Sequence, residues 1–296
     1  MADINTTMAN GATVYAGPGT TYFRIGSVSA GESVAIKFRE SSYCYIEYYI
    51  GNTSNKKCGY VRSTDVNNYA NMPLTTTTLT DRWVHITTQT KWGPGANYPD
   101  ARPLPRGTKV LYTNIKINNY ALVHVTLSGE MYRLFILSNY LGTGYISIDA
   151  RTKMASIANL EVGYTEVADN DTKYGDWIGA PNAAWCASFV SWCAAFADNA
   201  TTTTPASSPL VYKTAGVSNM RTGFGSARLK STPVVGAVAF FTGSHVGMVT
   251  SVSSDGNTID VVEGNSGSTV IKTSFDKDSY TGHYVGDNGT ITIFGY

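Results

Sequence analysis

The chain has 296 residues, of which 15% are charged, and its formal net charge at pH 7 is +1. This balance excludes the basic surface of a typical nucleic-acid-binding protein and also an acidic tail. No apolar run approaches the roughly 18 residues of a membrane-spanning helix. The length allows two or three domains. The 20 tyrosines, whose flat rings end in one polar group, favour a β-rich protein that acts outside the cell.

The first half of the chain contains a sequence repeat with a constant offset. Gly17-Pro18-Gly19 returns 76 residues later as Gly93-Pro94-Gly95. Proline and glycine at the centre of such a segment are typical of a type II turn. Three further pairs recur at the same offset: Tyr22 and Tyr98, Gly31 and Gly107, and Val34 and Val110. A repeat at one offset indicates tandem copies of one small domain.

Each copy resembles a bacterial SH3-like domain of the kind that anchors enzymes to cell walls. The resemblance rests on the turn, the tyrosine after it, the glycine before a β-branched strand, and a closing strand. That strand is predicted at 59–61 in the first copy and at 134–137 in the second, where 99–103 departs from the pattern. The resemblance implies wall binding, and the alternative is that one or both copies are structural spacers.

The predicted organisation is multidomain, with two small all-β SH3-like barrels followed by an α+β papain-like domain. The first barrel is assigned to 1–68 and the second to 81–148. Between them, 69–80 lacks hydrophobic periodicity and ends in a threonine run, which is typical of a linker. The last domain is assigned to 149–296, where helical patterns precede strand patterns.

Cys44 and Cys58 flank a predicted hairpin whose turn lies near Gly51. If they lie opposite each other, they are within reach of a disulfide, and two free thiols are the equal alternative. No second Cys/His pair accompanies them, so a zinc site is not expected.

The segment 183–193, AAWCASFVSWC, is predicted to form the first turns of a buried helix with Cys186 near its amino end. The helix dipole and the unpaired N–H groups at that end stabilise a thiolate, which is the nucleophilic form of cysteine. The alternative is that Cys186 is a small core residue. Cys193 lies two helical turns further on, about 10 Å away, and is predicted to be core.

A cysteine nucleophile needs a base, and the base needs a polar group that orients its ring. The last domain contains two histidines, His245 and His283. A hairpin folded near Asp255 would bring His245 opposite Glu263 or Asn265. These two residues share parity in the strand, so both side chains point to one face. The sequence alone does not choose between them.

From about residue 154 to the end, the chain resembles the CHAP family of papain-like cysteine amidohydrolases and peptidases. The matching segments are 174–177 (YGDW), 185–192 (WCASFVSW), 236–241 (GAVAFF), 244–249 (SHVGMV) and 262–265 (VEGN). The family's catalytic cysteine, histidine, glutamate and asparagine correspond to Cys186, His245, Glu263 and Asn265. The resemblance implies that Cys186 attacks a carbonyl carbon and forms an acyl-enzyme, with His245 moving the protons.

The attack of Cys186 on a carbonyl would create an oxyanion, which needs hydrogen-bond donors. The oxyanion of the intermediate would be held by the backbone N–H of Cys186 and one upstream group, for which Asn170 and Tyr174 are candidates. Tyr174 and Trp177 are alternatively walls of the substrate groove or core residues.

Some CHAP domains bind calcium upstream of the cysteine, and Asp169, Asp171 and Asp176 invite the comparison. Lys173 stands at a ligand position, however, and Tyr174 stands where a calcium loop needs glycine. We therefore expect no metal and no other cofactor.

The predicted function is a peptidoglycan hydrolase, either an endopeptidase or an N-acetylmuramoyl-L-alanine amidase, tethered to the wall by its SH3-like domains. Its partner would be bacterial peptidoglycan, with no nucleic acid, no membrane insertion and a monomeric state. The amino terminus shows no export signal. A phage endolysin, or an exported autolysin without its leader, acting at the cell wall is therefore expected. The alternatives are a non-catalytic wall- or surface-binding protein and a cysteine acyltransferase.

Overall fold

We describe a computed structural model of the chain. It describes residues 3–51, 53–197, 210–277, 284–286 and 289–296. The chain divides into two compact units, Met1–Ile146 and Ser147–Tyr296. Among the described residues, no helix is long and apolar enough to cross a membrane.

The first unit begins with a six-stranded antiparallel sheet. Its strands follow one another in the order β1-β4-β5-β6-β2-β3 across the sheet. They are β1 (Ile4–Thr7), β2 (Ala12–Tyr15), β3 (Arg24–Val28), β4 (Ser33–Glu40), β5 (Tyr43–Tyr49) and β6 (Lys56–Arg62). In β4, buried and partly exposed residues alternate, as expected of a strand with one face in the core.

A second sheet in the same unit repeats this arrangement. Its strands are β7 (Thr80–Val84), β8 (Thr88–Lys91), β9 (Asp100–Leu104), β10 (Lys109–Ile117), β11 (Tyr120–Leu127), β12 (Glu130–Leu137) and β13 (Leu141–Gly142). The order β7-β10-β11-β12-β8-β9, with β13 beside β7, reproduces the order of the first sheet. The prediction of tandem copies is therefore confirmed at the level of topology, and the SH3-like identity stays a prediction.

The repeated turn has the same local cause in both copies. The ring of Tyr22 packs so closely over Gly17 that a Cβ there would overlap it, and Tyr98 packs over Gly93 in the same way. The closing strands predicted at 59–61 and 134–137 lie within β6 and β12. The departure at 99–103 does not remove the strand, because β9 covers most of it.

The two sheets share one core. Phe38, Tyr45 and Tyr60 of the first sheet pack in one cluster with Leu122 and Phe135 of the second. Backbone hydrogen bonds also cross between the sheets, including one of 2.7 Å from the Cys58 N–H to the Trp92 carbonyl. The sheets therefore lie in a single compact unit. The domain boundaries at 68, 80 and 148 stay predictions.

The register of the β5–β6 hairpin corrects the expectation that Cys44 and Cys58 lie opposite each other. Cys44 pairs with Val61, and Cys58 pairs with Glu47. Because Cys58 and Val61 are an odd number of residues apart, the two thiols lie on opposite faces of the sheet. Both cysteines are free and buried.

In the described residues of the second unit, four helices lie before and beside a seven-stranded antiparallel sheet, which is an α+β arrangement. The helices are α1 (Ala150–Leu160), α2 (Lys173–Ile178), α3 (Cys186–Ala197) and α4 (Val217–Arg228). The strands are β14 (Leu229–Lys230), β15 (Val238–Phe241), β16 (Val246–Val252), β17 (Thr258–Ser266), β18 (Thr269–Lys277), β19 (Tyr284–Gly286) and β20 (Gly289–Gly295). Their order is β14-β20-β15-β16-β17-β18-β19.

Helix α3 is the centre of this unit. Every residue in it except Ala195 is buried. A helix that is apolar on all sides has to be enclosed by other elements, and α3 contacts α1, α2, β16 and β17. Cys193 is fully buried, as predicted. The predicted helix end near Asp198 lies outside the described residues.

Candidate active site

Cys186 is the first residue of α3. The first main-chain hydrogen bond of the helix runs from the Phe189 N–H to the Trp185 carbonyl, at 2.9 Å. The N–H of Cys186 therefore belongs to the helix end that has no intrahelical acceptor. The residue is 6% exposed. The thiol is thus largely enclosed and lies at the positive end of the helix dipole.

His245 lies in the turn that precedes β16. The Phe241 N–H donates to the His245 carbonyl at 3.0 Å, which closes the turn between β15 and β16. The ring of Phe241 meets the imidazole edge-on, with the ring centroids 5.2 Å apart. The backbone and the ring of His245 are therefore both held by the end of β15.

Glu263 contacts the imidazole directly. In the β16–β17 hairpin Glu263 pairs with Gly247, and its fully buried carboxylate lies 3.0 Å from His245 Nε2. Asn265 has a left-handed backbone (φ 60°) at a break in the pairing of β17 with β18. No hydrogen bond between Asn265 and His245 is found within the described part of the chain. Of the two predicted orienting groups, Glu263 is therefore the one that contacts the imidazole of His245.

His245 also interacts with the thiol. Burial alone would lower the pKa of His245, but hydrogen bonds and charge from Cys186 and Glu263 outweigh it and raise the pKa to about 9. Because Nε2 faces Glu263, Nδ1 is the ring nitrogen left for Cys186. Nucleophile, base and orienting carboxylate thus form one connected chain.

A close approach of β17 to α3 explains why these groups meet. A Cβ on Gly264 would lie 2.7 Å from Phe189 Cβ and 2.8 Å from Trp185 Cζ3. Only glycine fits where the strand crosses the first turn of the helix. The crossing lies next to Glu263 and next to Cys186 in sequence, so it sets the distance between the two sides of the site.

Glu166 is a residue that the sequence reasoning missed. Its carboxylate accepts the indole N–H of Trp185 at 2.9 Å. Trp185, the side chain of Ser268 and the Asn170 N–H together hold the pKa of Glu166 below its usual range. Glu166 therefore ties the residue before the nucleophile to the turn that follows Asn265. The signal in the sequence was a single acidic residue eight positions before Tyr174, which indicates no partner by itself.

We expect Glu166→Ala to lower kcat/KM by about tenfold to a hundredfold, because a misplaced Trp185 moves Cys186 relative to His245. Glu166→Gln is the matched control, since its amide oxygen still accepts the indole N–H. Initial rates on a soluble substrate, with the thermal midpoint of each variant, measure this. Equal rates for Glu166→Ala and the parent would mean that Trp185 is held by its ring contacts alone.

Tyr174 is placed in the core instead of at the oxyanion. It is fully buried, its ring stacks on Trp185, and its hydroxyl donates to Glu161 at 2.6 Å. Glu161 also forms an ion pair with Lys173, the residue that interrupts the calcium-loop pattern. The hydroxyl of Tyr174 is therefore engaged away from the thiol.

The other predicted residues have different surroundings. Trp177 packs near Phe196, with the ring centroids 6.4 Å apart. Phe196 is ten residues after Cys186, about 15 Å along α3, so Trp177 lies towards the opposite end of the helix from the thiol. The side chain of Asn170 donates to Asp169 at 3.0 Å, and its oxyanion role stays a prediction. His283 lies outside the described residues.

Solved structures with similarity to the chain include the two named next, although their TM-scores are too low to show a shared fold. NlpC1 from Trichomonas vaginalis has 12% identity over 100% of this chain and 95% of that one, with a TM-score of 0.31. An NlpC/P60 family protein from Bacillus cereus has 10% identity over 98% of each chain, with a TM-score of 0.32. No curated protein matches the chain.

A family model gives the more specific finding. The model of the CHAP domain matches residues 163–265. This range begins just before Glu166, includes Cys186 and His245, and ends at Asn265. The segment that carries the candidate site is therefore similar to a CHAP domain.

Proposed function

We propose that this protein is a cysteine hydrolase that cleaves amide bonds of bacterial peptidoglycan. The observation that carries the proposal is the chain of contacts from Cys186 at the helix end, through His245, to the buried carboxylate of Glu263. The match of 163–265 to the CHAP domain supports the family of the enzyme. The substrate and the anchoring role of the first unit come from the resemblances described above.

In the first half of the reaction, the Cys186 sulfur attacks the carbonyl carbon of the scissile amide. The carbonyl electrons move onto oxygen. The Cys186 N–H at the start of α3 is a hydrogen-bond donor for that oxyanion. With its pKa raised to about 9, His245 carries a proton at neutral pH. It gives this proton to the leaving amine as the C–N bond breaks, which leaves a thioester on Cys186.

In the second half, water replaces the amine. His245, now neutral, removes a proton from water, and the resulting hydroxide attacks the thioester carbon. The C–S bond breaks and the carboxylic acid leaves. Glu263 keeps Nε2 occupied throughout, so the ring nitrogen that exchanges protons stays directed at the sulfur and at the substrate.

We expect hydrolysis to decline as the pH rises through about 9, because His245 then loses the proton that the leaving amine needs. Glu263→Gln removes a negative charge that raises the pKa of His245, so the alkaline limb should move to lower pH. The raised pKa of His245 also makes the stability of the fold depend on pH. Its contribution to stability is fully present below the ordinary pKa of 6.5 and is lost as the pH rises through about 9.

The measurement is kcat/KM against pH on a soluble substrate for the parent, Glu263→Gln and Glu130→Gln. Glu130 lies at the start of β12 in the other unit and controls for the loss of one negative charge. An alkaline limb that stays in place in Glu263→Gln would remove Glu263 from the catalytic chain.

The proposed function is tested by mass spectrometry of purified peptidoglycan digested with the parent and with Cys186→Ala. New amino termini on peptide residues, seen only with the parent, identify an endopeptidase. Peptides released whole from the sugar identify an amidase. A parallel digest with an added amine separates hydrolysis from acyl transfer, since a transferase would leave the amine attached to the product.

Identical products from the two proteins on walls of several bacteria would contradict the enzyme assignment. The binding-protein alternative would then account for the chain better. The comparison uses the whole chain, so any contribution of the first unit to wall binding is the same on both sides.

A further inference from the structure

A groove lies at one end of the first sheet, far in sequence from the catalytic residues. It encloses about 690 Å³ and is bounded by the β3–β4 turn, the β5–β6 turn and the strands beside them. Its lining includes the side chains of Glu32, Tyr48 and Lys57 and the backbone of Gly26. None of these groups takes part in the proposed reaction.

Tyr48 brings an unsatisfied hydroxyl to this groove. The residue is only 3% exposed, yet its hydroxyl has no hydrogen-bond partner among the residues that the structure describes. Burial raises the pKa of Tyr48, so the hydroxyl keeps its proton and can donate it. A buried hydroxyl without a partner destabilises the fold, and buried polar groups normally have partners. A ligand in the groove would supply one.

Lys57 brings an ammonium group to the same place. It donates to the Ile25 carbonyl and lies 5.8 Å from the centre of the Tyr48 ring. Within the described ranges it contacts no carboxylate, whereas Lys37 and Lys56 both pair with Glu47. Burial lowers the pKa of Lys57, because no negative charge offsets the loss of water. An anion in the groove would restore that balance.

The two donors converge on one point. A Cβ on Gly26 would lie 3.0 Å from the Tyr48 hydroxyl oxygen and 3.5 Å from Lys57 Nζ. A hydroxyl and an ammonium this close together suit the two oxygens of a carboxylate, which accepts a charge-assisted hydrogen bond from each of them.

Glu32 supplies the opposite charge in the same groove. One of its oxygens accepts the Ser29 N–H at 2.9 Å, which fixes the carboxylate at the β3–β4 turn. Its charge acts on the Tyr48 hydroxyl, so it lies near the carboxylate-binding pair. A ligand with an anionic and a cationic group a short distance apart would therefore satisfy both ends.

We propose that this groove binds a short peptide bearing a free carboxylate, which Lys57 and Tyr48 receive, and an amino group, which Glu32 receives. That the peptide comes from the stem peptides of bacterial walls rests on the proposed function. Wall recognition by the first unit then depends on the peptide and not on the sugar.

The test is isothermal titration of the full chain, carrying Cys186→Ala so that the probe is not cut. The probes are soluble stem-peptide fragments with a free carboxyl terminus and the same fragments amidated at that terminus. We expect Lys57→Met to weaken binding of the free-carboxylate probe by about tenfold or more, and Tyr48→Phe by about threefold to tenfold. Amidation should weaken binding to the parent and have little effect on binding to Lys57→Met.

Lys56→Met is the matched control, because it removes the same charge one residue away from a lysine that pairs with Glu47. Its affinity should equal that of the parent. Tyr48→Phe also serves as the folding control, since it removes a hydroxyl without a partner and should keep or raise the thermal midpoint.

Unchanged affinity in both Tyr48→Phe and Lys57→Met, or no binding of either probe by the parent, would overturn the groove assignment. Cleavage of the same fragments by the chain with Cys186 intact distinguishes the two proposals. If the fragments are cleaved and the groove variants have no effect on binding, the proposed hydrolase function holds and the groove assignment is wrong. If the fragments are neither cleaved nor bound, both proposals are wrong.

Discussion

Replacing Cys186 with alanine is expected to lower the rate of wall hydrolysis by at least about 10⁴-fold, since the acyl-enzyme cannot form without the sulfur. His245→Ala should have a comparable effect, because it removes the group that holds the thiolate and protonates the leaving amine. The double variant should be no slower than either single one, as residues that act as one unit give non-additive losses.

Cys193→Ala is the matched control for this prediction. It removes the other thiol of α3, which is fully buried two turns further along. It should lose some stability through a small cavity and keep its rate. Initial rates of dye release from labelled walls, with sedimentation of the protein on the same walls, measure catalysis and binding separately. A Cys186→Ala protein that still hydrolyses walls would exclude the thiol as the nucleophile.

Local patterns predicted much of this architecture. The repeat anticipated two sheets with the same strand order, because each copy carries its own turn, in which Tyr22 or Tyr98 packs over a glycine. The folding of the hairpin near Asp255 was also predictable, since the pairing of Gly247 with Glu263 follows from a turn at that point. Both features depend on residues that are close in the sequence.

The choice between Glu263 and Asn265 was not predictable from the strand pattern, because side chains two residues apart point to the same face. The structure separates them by a local break. Glu263 lies in the regular ladder, whereas Asn265 takes a left-handed backbone beside the turn at 267–268. A break of this kind depends on how β17 crosses α3 at Gly264, and that contact joins distant parts of the chain.

The failures have a similar cause. The opposition of Cys44 and Cys58 depended on the number of residues in the β5–β6 loop, and the observed register moves one thiol to the other face. The hydroxyl of Tyr174 donates a hydrogen bond to Glu161, which lies thirteen residues earlier at the carboxyl end of α1. Neither the loop register nor the buried partner leaves a periodic signal in the sequence.

The contact between the two sheets was also not predictable from the sequence. It includes a buried ion pair. Arg133 of β12 donates to Glu40 at the end of β4, and both side chains are largely buried. Tyr60 donates to the same carboxylate at 3.3 Å, and Thr77 donates to its other oxygen at 2.6 Å. Glu40 and Arg133 are 93 residues apart. Their charges therefore meet only after both sheets have formed.

We expect Arg133→Met to lower the free energy of unfolding of the first unit by about 3–5 kcal/mol, because it leaves the Glu40 carboxylate buried without its counter-charge. The double variant Glu40→Gln/Arg133→Met should recover most of this loss. Glutamine is neutral, and its amide oxygen can still accept a hydrogen bond from Tyr60 or Thr77. Glu40→Gln alone should fall between the parent and Arg133→Met.

The measurement is urea unfolding of the full chain, with the transition of 1–146 assigned by hydrogen-exchange mass spectrometry. The four proteins form a double-mutant cycle that isolates the interaction of the two charges from the packing of each side chain. An interaction energy near zero would mean that the charges are solvated and that the shared aromatic core alone joins the two sheets. A large one would mean that each sheet needs the other, so the tandem copies would unfold together as one cooperative unit.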